Sequence, residues 1–309
     1  MNSATREAYG EALAEIGRTN PDIVALDADL AGSTKSATFG KAFPDRFFDM
    51  GIAEADMVAT AAGLASCGKI PFASSFSVFV TGRAFEQIRN SVCNAELNVK
   101  IVGSHAGPSC GADGSSHQAV EDIAIMRALP NMTVVVPADD VEAKKATAAL
   151  VEHVGPAYLR VARLATPTIH TDDYDFVIGK GDIVCEGTDV AIIACGMMVG
   201  RAVQAAEELK NEGISARVVN MATIKPLDVE LVEDCSRTCG KIITVEEASI
   251  IGGLGSAVAE ALAETTPAPL RRIGMNDCFG VSGEGNELLD YFGLNAAHIK
   301  EVAHELCGK

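Results

Sequence analysis

The sequence predicts an α/β protein of two domains, each a mostly parallel sheet flanked by helices. Three observations carry that expectation. Strand-sized apolar runs alternate with helical patterns from end to end, as they do where strands are joined through crossover helices. The chain has 309 residues, more than one hydrophobic core usually organises, because single cores stop growing near about 250 to 300 residues. Between 164 and 188 the helical period lapses and Pro, Thr, Asp and Gly gather, the composition of a surface crossing. The expected division is a first domain over 1–165, a linker over 166–187 and a second domain over 188–309.

In the first domain the apolar period predicts helices over 3–17, 52–66, 78–93, 118–128 and 139–152. Short apolar runs predict strands at 23–26, 71–76, 99–104, 133–136 and 158–161. In the second domain strands are expected at 189–195, 216–221 and 242–246. Helices are expected at 198–212, 228–238 and 254–264, with two more after Val281. No solenoid period and no low-complexity tract interrupts the alternation.

Apolar residues make up 48 % of the chain and charged residues 22 %, enough burial for a globular fold. Against 25 Lys and Arg stand 42 Asp and Glu, a formal charge of −17 spread thinly along the chain. Such a field repels nucleic acid and anionic membranes, so a phosphorylated substrate needs a local cluster of Arg, His and backbone N–H donors. The N-terminal MNSATREAYGEAL lacks a basic segment followed by an apolar run, and no apolar stretch approaches about 18 residues. Nine scattered cysteines read as reduced thiols in a cytoplasm. Cys235 and Cys239 have no second pair at zinc spacing. GGLGS at 252–256 is half of a dinucleotide fingerprint, with Val258 where a small residue belongs. Neither GxxxxGK[ST] nor GxSxG occurs.

The stretch SHAGPSCGADGSSHQ, 104–118, follows a strand, precedes a helix and sets Gly and Pro around His105, Asp113 and His117. Loops at strand C-termini approach ligands closely, so this one suits a ligand site. Its spacing also suits a metal bound by His105, Cys110, Asp113 and His117, or a plain turn whose imidazoles satisfy carbonyls. Glu54 opens a helix of small residues, where the helix dipole or a buried pairing with a nitrogen base explains a carboxylate. Phe76 and Phe79 stand where a strand becomes a helix and serve either a heteroaromatic ring or the core. Asp29 and Ser33 lie just past the first strand, in a position for an anion site or a simple turn. Arg160 at a strand end and Arg6 on the first helix are candidate anion ligands or ordinary surface charges.

Together the chain resembles the C-terminal half of transketolase. The resemblance spans nearly all of it, through ATR (4–6), ADLAGS (28–33), GIAEADM (51–57), SFSVFV (75–80), ADGSSHQ (112–118), PNMTVVVPAD (130–139) and YLRVAR (158–163). It continues through DVAIIACGMMVG, NMATIKPLD and EEASIIGGLGS. The fold so implied is a thiamine-diphosphate pyrimidine-binding domain followed by a transketolase C-terminal-like domain. The activity implied is transfer of a two-carbon ketol unit between sugar phosphates in the pentose phosphate pathway, with thiamine diphosphate as cofactor.

By this resemblance Glu54 bonds the pyrimidine N1′, Phe79 faces the aminopyrimidine with Phe76 beside it, and Asp29 lies near the cofactor. His117 and Asp113 meet the hydroxyls and carbonyl of the sugar, with His117 catalytic alongside Glu54. Arg6, Ser33, His105 and Arg160 clamp the phosphate. Gly82 departs from the family, many of whose members carry tyrosine there. The family's GDG motif and trailing Asn, which hold the Mg2+ bridging the diphosphate, are absent. The resemblance therefore implies a separate diphosphate-binding partner chain, an α2β2 assembly and no activity from this chain alone. The start at Met1 with ATR close behind is expected of a natural subunit, with no metal of its own. The rivals are the β subunit of a 2-oxoacid dehydrogenase E1 component and a non-catalytic regulatory subunit of the same fold. Deoxyxylulose phosphate synthase shares the histidine loop, normally within one long chain.

Overall fold

A computed structural model describes residues 2–308. Its strands run β1 (Asn2–Ala4), β2 (Ile23–Asp27), β3 (Phe47–Asp49), β4 (Ile70–Phe76), β5 (Lys100–Ser104), β6 (Thr133–Val135) and β7 (Ala157–Val161). They continue with β8 (Ala165–Pro167), β9 (Asp182–Cys185), β10 (Val190–Ala194), β11 (Ala216–Asn220), β12 (Thr223–Lys225), β13 (Ile242–Ser249) and β14 (Leu270–Met275). One seven-stranded sheet has the order β12-β6-β7-β5-β4-β2-β3, and one five-stranded sheet has the order β14-β13-β10-β11-β9. All pairings in them are parallel except those of the edge strands β12 and β9. Central strands such as β2 (IVALD), β7 (AYLRV) and β10 (VAIIA) are buried at every position. Helices cover both faces of a parallel sheet, so its strands read as apolar runs more than as alternations.

The expected linker carries more structure than its composition indicates. β8 closes a two-stranded ribbon with β1, and β9 pairs antiparallel with β11. His170, buried between them in sequence, bonds Asp139 Oδ2 through both its backbone N–H and its ring Nδ1. Paired this way the imidazole is raised to about 10 against the cost of burial. β12, from beyond the linker, adds to the first sheet beside β6.

The helix expected over 78–93 is three pieces: Ser77–Arg83, Phe85–Gln87 and a π-helical turn over Ile88–Cys93. Val80, Ala84, Ile88 and Val92 are all fully buried. Their strict spacing of four exceeds the 3.6-residue period, and the wider π turn takes up the difference. The helix expected from 118 begins at Asp122, because Gln118 and Ala119 are used to hold the preceding loop. β14 (LRRIGM) went unforeseen since its exposed Arg271 and Arg272 break the apolar signal, as is common at a sheet edge.

Register decides what the first sheet presents. Phe76 pairs with Ser104, and Ser104 with Val161, so β4, β5 and β7 end side by side at their C-termini. Asp27, the last residue of β2, lies opposite Ser74 of β4. The loops leaving these four strands therefore converge on one edge, the usual ligand position of a parallel sheet.

Candidate active site

Four segments meet at that edge. Arg6 stands in the first turn of the helix Thr5–Ile16, and its Nη1 donates to Ser33 O at 2.9 Å and to His105 Nε2 at 2.9 Å. Ser33 lies in the short helix Ala31–Thr34, held by buried Asp27, whose carboxylate accepts from Leu30 N–H and from the hydroxyls of Thr34 and Ser36. Burial raises Asp27 to about 6. A cavity of about 430 Å³ opens here, lined by Arg6, Gly32, Ser33, Lys35, Phe76, His105, Asp113, His117 and Arg163.

His105 is buried and takes φ +59° immediately after β5. Burial, then the cations Arg6, Arg163 and Lys35, lower it to about 3, so its ring is neutral. A guanidinium only donates, so Nε2 is the acceptor and Nδ1–H donates to Ser104 Oγ at 2.8 Å. In this arrangement His105 orients Arg6. The Nε of Arg6 is buried and has no partner among the described residues.

An aromatic strip runs outward from the cavity. The ring of Phe76 stacks on His105 with centroids 4.0 Å apart and on Phe79 at 5.9 Å. His117 meets the Phe79 ring edge-on at 5.1 Å, and Ser116 Oγ lies 2.9 Å from its Nδ1. Beyond Phe79 sits Glu54, only 3 % exposed, both of whose oxygens accept from Arg83 Nη1 at 3.0 and 3.2 Å. The Arg83 guanidinium also lies 4.1 Å over the Phe79 ring. Sequence reading missed Arg83, which answers the question of what balances the Glu54 charge. A carboxylate has about four acceptor sites, so Glu54 keeps capacity for a ring nitrogen.

One expected phosphate ligand is placed elsewhere. Arg160 does not reach the cavity: its Nε donates to Asp122 Oδ2 at 2.8 Å and its Nη2 to Glu247 O at 2.8 Å. Alternation along β7 puts Arg160 on the same face as Tyr158, whose hydroxyl donates to the same Asp122 oxygen. Arg163, two residues past the strand end, lines the cavity instead and donates to Cys110 O at 2.6 Å and Asp113 Oδ2 at 3.2 Å. YLRVAR holds both arginines, and the period of two could have separated them. Asp29 is exposed at φ +61°, its N–H donating to Asp49 Oδ1, and it does not line the cavity.

The second sheet supports the histidine loop from behind. Glu247 of β13 accepts from Ser109 N–H at 2.7 Å, and Gln118 donates to Val281 O at 2.9 Å. Gly107 has φ +70°, and a Cβ there would lie 2.5 Å from Glu247 Oε1, so only glycine lets the loop close on that carboxylate. GGLGS is turned inward in the same region: Leu254 and Gly255 N–H groups donate to buried Glu246, which burial raises to about 7. Gly82 is exposed, and a Cβ there meets nothing within 4 Å among the described residues. Among the described residues no group of three or more His, Cys, Asp or Glu is placed to hold a metal, so the metal reading of the histidine loop has no geometric basis. All nine cysteines are free thiols, and no described helix is long and apolar enough to cross a membrane.

This is an α/β protein of two parallel-type sheets with a cationic, histidine-bearing cavity beside a buried carboxylate and an aromatic strip. Residues 2–168 match the transketolase pyrimidine-binding domain, and 179–299 match the transketolase C-terminal domain. The chain belongs to the transketolase family. It is 50 % identical over 305 residues to a putative transketolase C-terminal section of Methanocaldococcus jannaschii, covering 97 % of this chain and 96 % of that one. A 6-deoxy-6-sulfo-D-fructose transketolase subunit of Clostridium is 44 % identical over 97 % of this chain and 94 % of its own length. A solved split-gene transketolase, described as an inactive β4 tetramer, superposes with a TM-score of 0.91 at 49 % identity, covering 100 % of this chain and 99 % of that one. Human transketolase is 39 % identical over 99 % of this chain, which spans 49 % of its length. The chain thus corresponds to the C-terminal section of a split transketolase, in a family that generally uses thiamine diphosphate.

Proposed function

We propose that this chain is the C-terminal subunit of a two-chain transketolase, transferring a two-carbon ketol unit between sugar phosphates once joined to a diphosphate-binding partner. The observation that carries the reading is the continuous strip from Glu54 through Arg83, Phe79 and Phe76 to His105 and Arg6. It sets a buried carboxylate and an aromatic face at one end and an anion cavity at the other. The fit to thiamine diphosphate rests on the spare acceptor capacity of Glu54 and the partly exposed Phe79 ring. The partner, with its GDG motif, holds the Mg2+ and the diphosphate, and the working unit is an α2β2 heterotetramer in the cytoplasm. The division at 1–165, 166–187 and 188–309 remains the proposed domain plan.

When bound, thiamine diphosphate supplies the nucleophilic carbon and the electron sink for cleaving a carbon–carbon bond. Glu54 holds a proton at the pyrimidine nitrogen through its carboxylate. Phe79 and Phe76 cover the ring and exclude water, and Asp29 lies near the cofactor. His117 and Asp113 bind the sugar hydroxyls and carbonyl, and His117 gives or takes a proton at the substrate oxygen. Arg6, Ser33 and Arg163 hold the terminal phosphate, with His105 fixing Arg6. Arg160 is withdrawn from that set.

The test is the reconstituted pair. With the partner, Mg2+ and thiamine diphosphate, it converts xylulose 5-phosphate and ribose 5-phosphate by ketol transfer, and neither chain does so alone. Glu54→Ala lowers partner-dependent turnover by roughly 100-fold or more. Lipoamide-dependent decarboxylation of an oxoacid with no ketol transfer, or turnover untouched by Glu54→Ala, overturns the reading.

A further inference from the structure

The cavity contains one cation that neither the sequence reading nor the phosphate clamp accounts for. Lys35 lines it with its backbone at φ +72°, a left-handed conformation that is uncommon and strained for a lysine. Its Nζ lies 3.0 Å from Glu7 Oε1, on the helix that carries Arg6. The turn is packed tightly against that helix. A Cβ on Gly10 would lie 2.6 Å from Lys35 O and 2.7 Å from Lys35 Cβ. Gly10 sits in the helix interior, where glycine costs about 0.5 to 1 kcal/mol relative to alanine, and this contact explains its presence. Helix and turn are thus both shaped to bring Lys35 to the cavity wall.

Charge accounting shows what it does there. Arg6, Lys35 and Arg163 are the cations of the cavity, and His105 is neutral. Arg163 is paired with Asp113, and Lys35 with Glu7, whereas the Arg6 side chain, which also feels the Glu7 charge, bonds a carbonyl and an imidazole and no carboxylate among the described residues. At rest Arg6 is therefore the one cation of the cavity with no carboxylate bonded to it among the described residues, which matches a monoanion. The side chain of Glu7 is 43 % exposed and that of Lys35 28 %. An ion pair so exposed is worth little, so Lys35 can leave Glu7 to water at small cost. Released, it supplies the second positive charge that a dianion requires.

We propose that Lys35 is a specificity-determining residue that moves from Glu7 to the substrate tail and selects a dianionic phosphate ester over a monoanionic sulfate or sulfonate. The proposal rests on the reading of this cavity as the site of the substrate's anionic tail. It deepens that reading by naming the charge state recognised. Arg6 and Arg163 serve any anion, and Lys35 distinguishes between them.

The cations at issue all belong to this chain, so binding to the full chain tests them by calorimetry at pH 8. There a phosphate monoester, with its second pKa near about 6, is a dianion. The probes are ribose 5-phosphate and ribose 5-sulfate. Lys35→Met weakens the phosphate ester roughly tenfold and leaves the sulfate ester within about twofold, as expected for one partly solvated charge. Glu7→Gln, which frees Lys35 and also removes a carboxylate charge felt by Arg6, tightens the phosphate ester more than the sulfate ester. Arg163→Met weakens both. Equal losses for the two esters in Lys35→Met, or none for either, overturn the role of Lys35 while the response of Arg163→Met keeps the cavity reading. No binding of either ester to the wild-type chain, with the fold intact by circular dichroism, overturns both.

Discussion

Arg160 and Arg163 lie three residues apart on one segment and have opposite environments. The Arg160 side chain is 7 % exposed and bonded to Asp122 and the Glu247 carbonyl. Opposing carboxylates hold it firmly protonated despite its burial. The Arg163 side chain is 39 % exposed, borders the cavity and shares its carboxylate partner with solvent. The first joins β7, the helix Asp122–Ala128 and β13 into one block, and the second faces a ligand. Charge alone does not make an anion site, because a guanidinium whose donors are spent on buried acceptors has little left for substrate.

The largest effect belongs to Arg160. Arg160→Met leaves Asp122 buried with its charge unpaired, and its Oδ1 already lacks a partner among the described residues. Breaking a buried pair from one side costs roughly 3 to 5 kcal/mol, read as a fall in the urea midpoint of the isolated chain. A loss below about 1 kcal/mol would show that the block does not depend on this pair. Arg163→Met makes the complementary case. It raises KM for sugar phosphates roughly tenfold in the reconstituted pair with kcat nearly kept, and barely changes the urea midpoint. Loss of stability without a KM effect would reverse the contrast between the two arginines.

The smallest effect comes from His105, which belongs to the cavity but is as buried as Arg160. Its folded value of about 3 lies below the ordinary 6.5 of the unfolded chain. Below pH 6.5 the unfolded state therefore binds more protons, and stability falls as pH drops toward about 3. Between pH 7 and pH 5 the loss is about 1 to 2 kcal/mol, and it is absent from His105→Gln. Parallel pH curves for the two proteins would remove the imidazole from that account.

Element order, parallel architecture and most candidate residues were legible because they depend on local pattern. β10 is an unbroken apolar run, β2 is apolar up to Asp27, β13 opens on the run IITV, and the histidine loop is marked by its own glycines. Arg83 was not legible. A half-exposed arginine on a helix reads as a surface charge until Glu54, twenty-nine residues earlier, is brought within 3.0 Å. Nor were β12 and the strands of the expected linker, whose stability comes from partners distant in the chain.

The sequence by itself determined which chemical groups are available: a carboxylate at a helix start, two phenylalanines at a strand end, a loop with two histidines, and an acidic chain that must gather cations locally. Only the tertiary structure decided which cations those are. Strand register and side-chain alternation turned Arg160 inward, and the chain past β7 carried Arg163 out to the cavity. Close approach at Gly10 set Lys35 beside it, because contact across the sheet edge depends on packing between segments that no local pattern encodes.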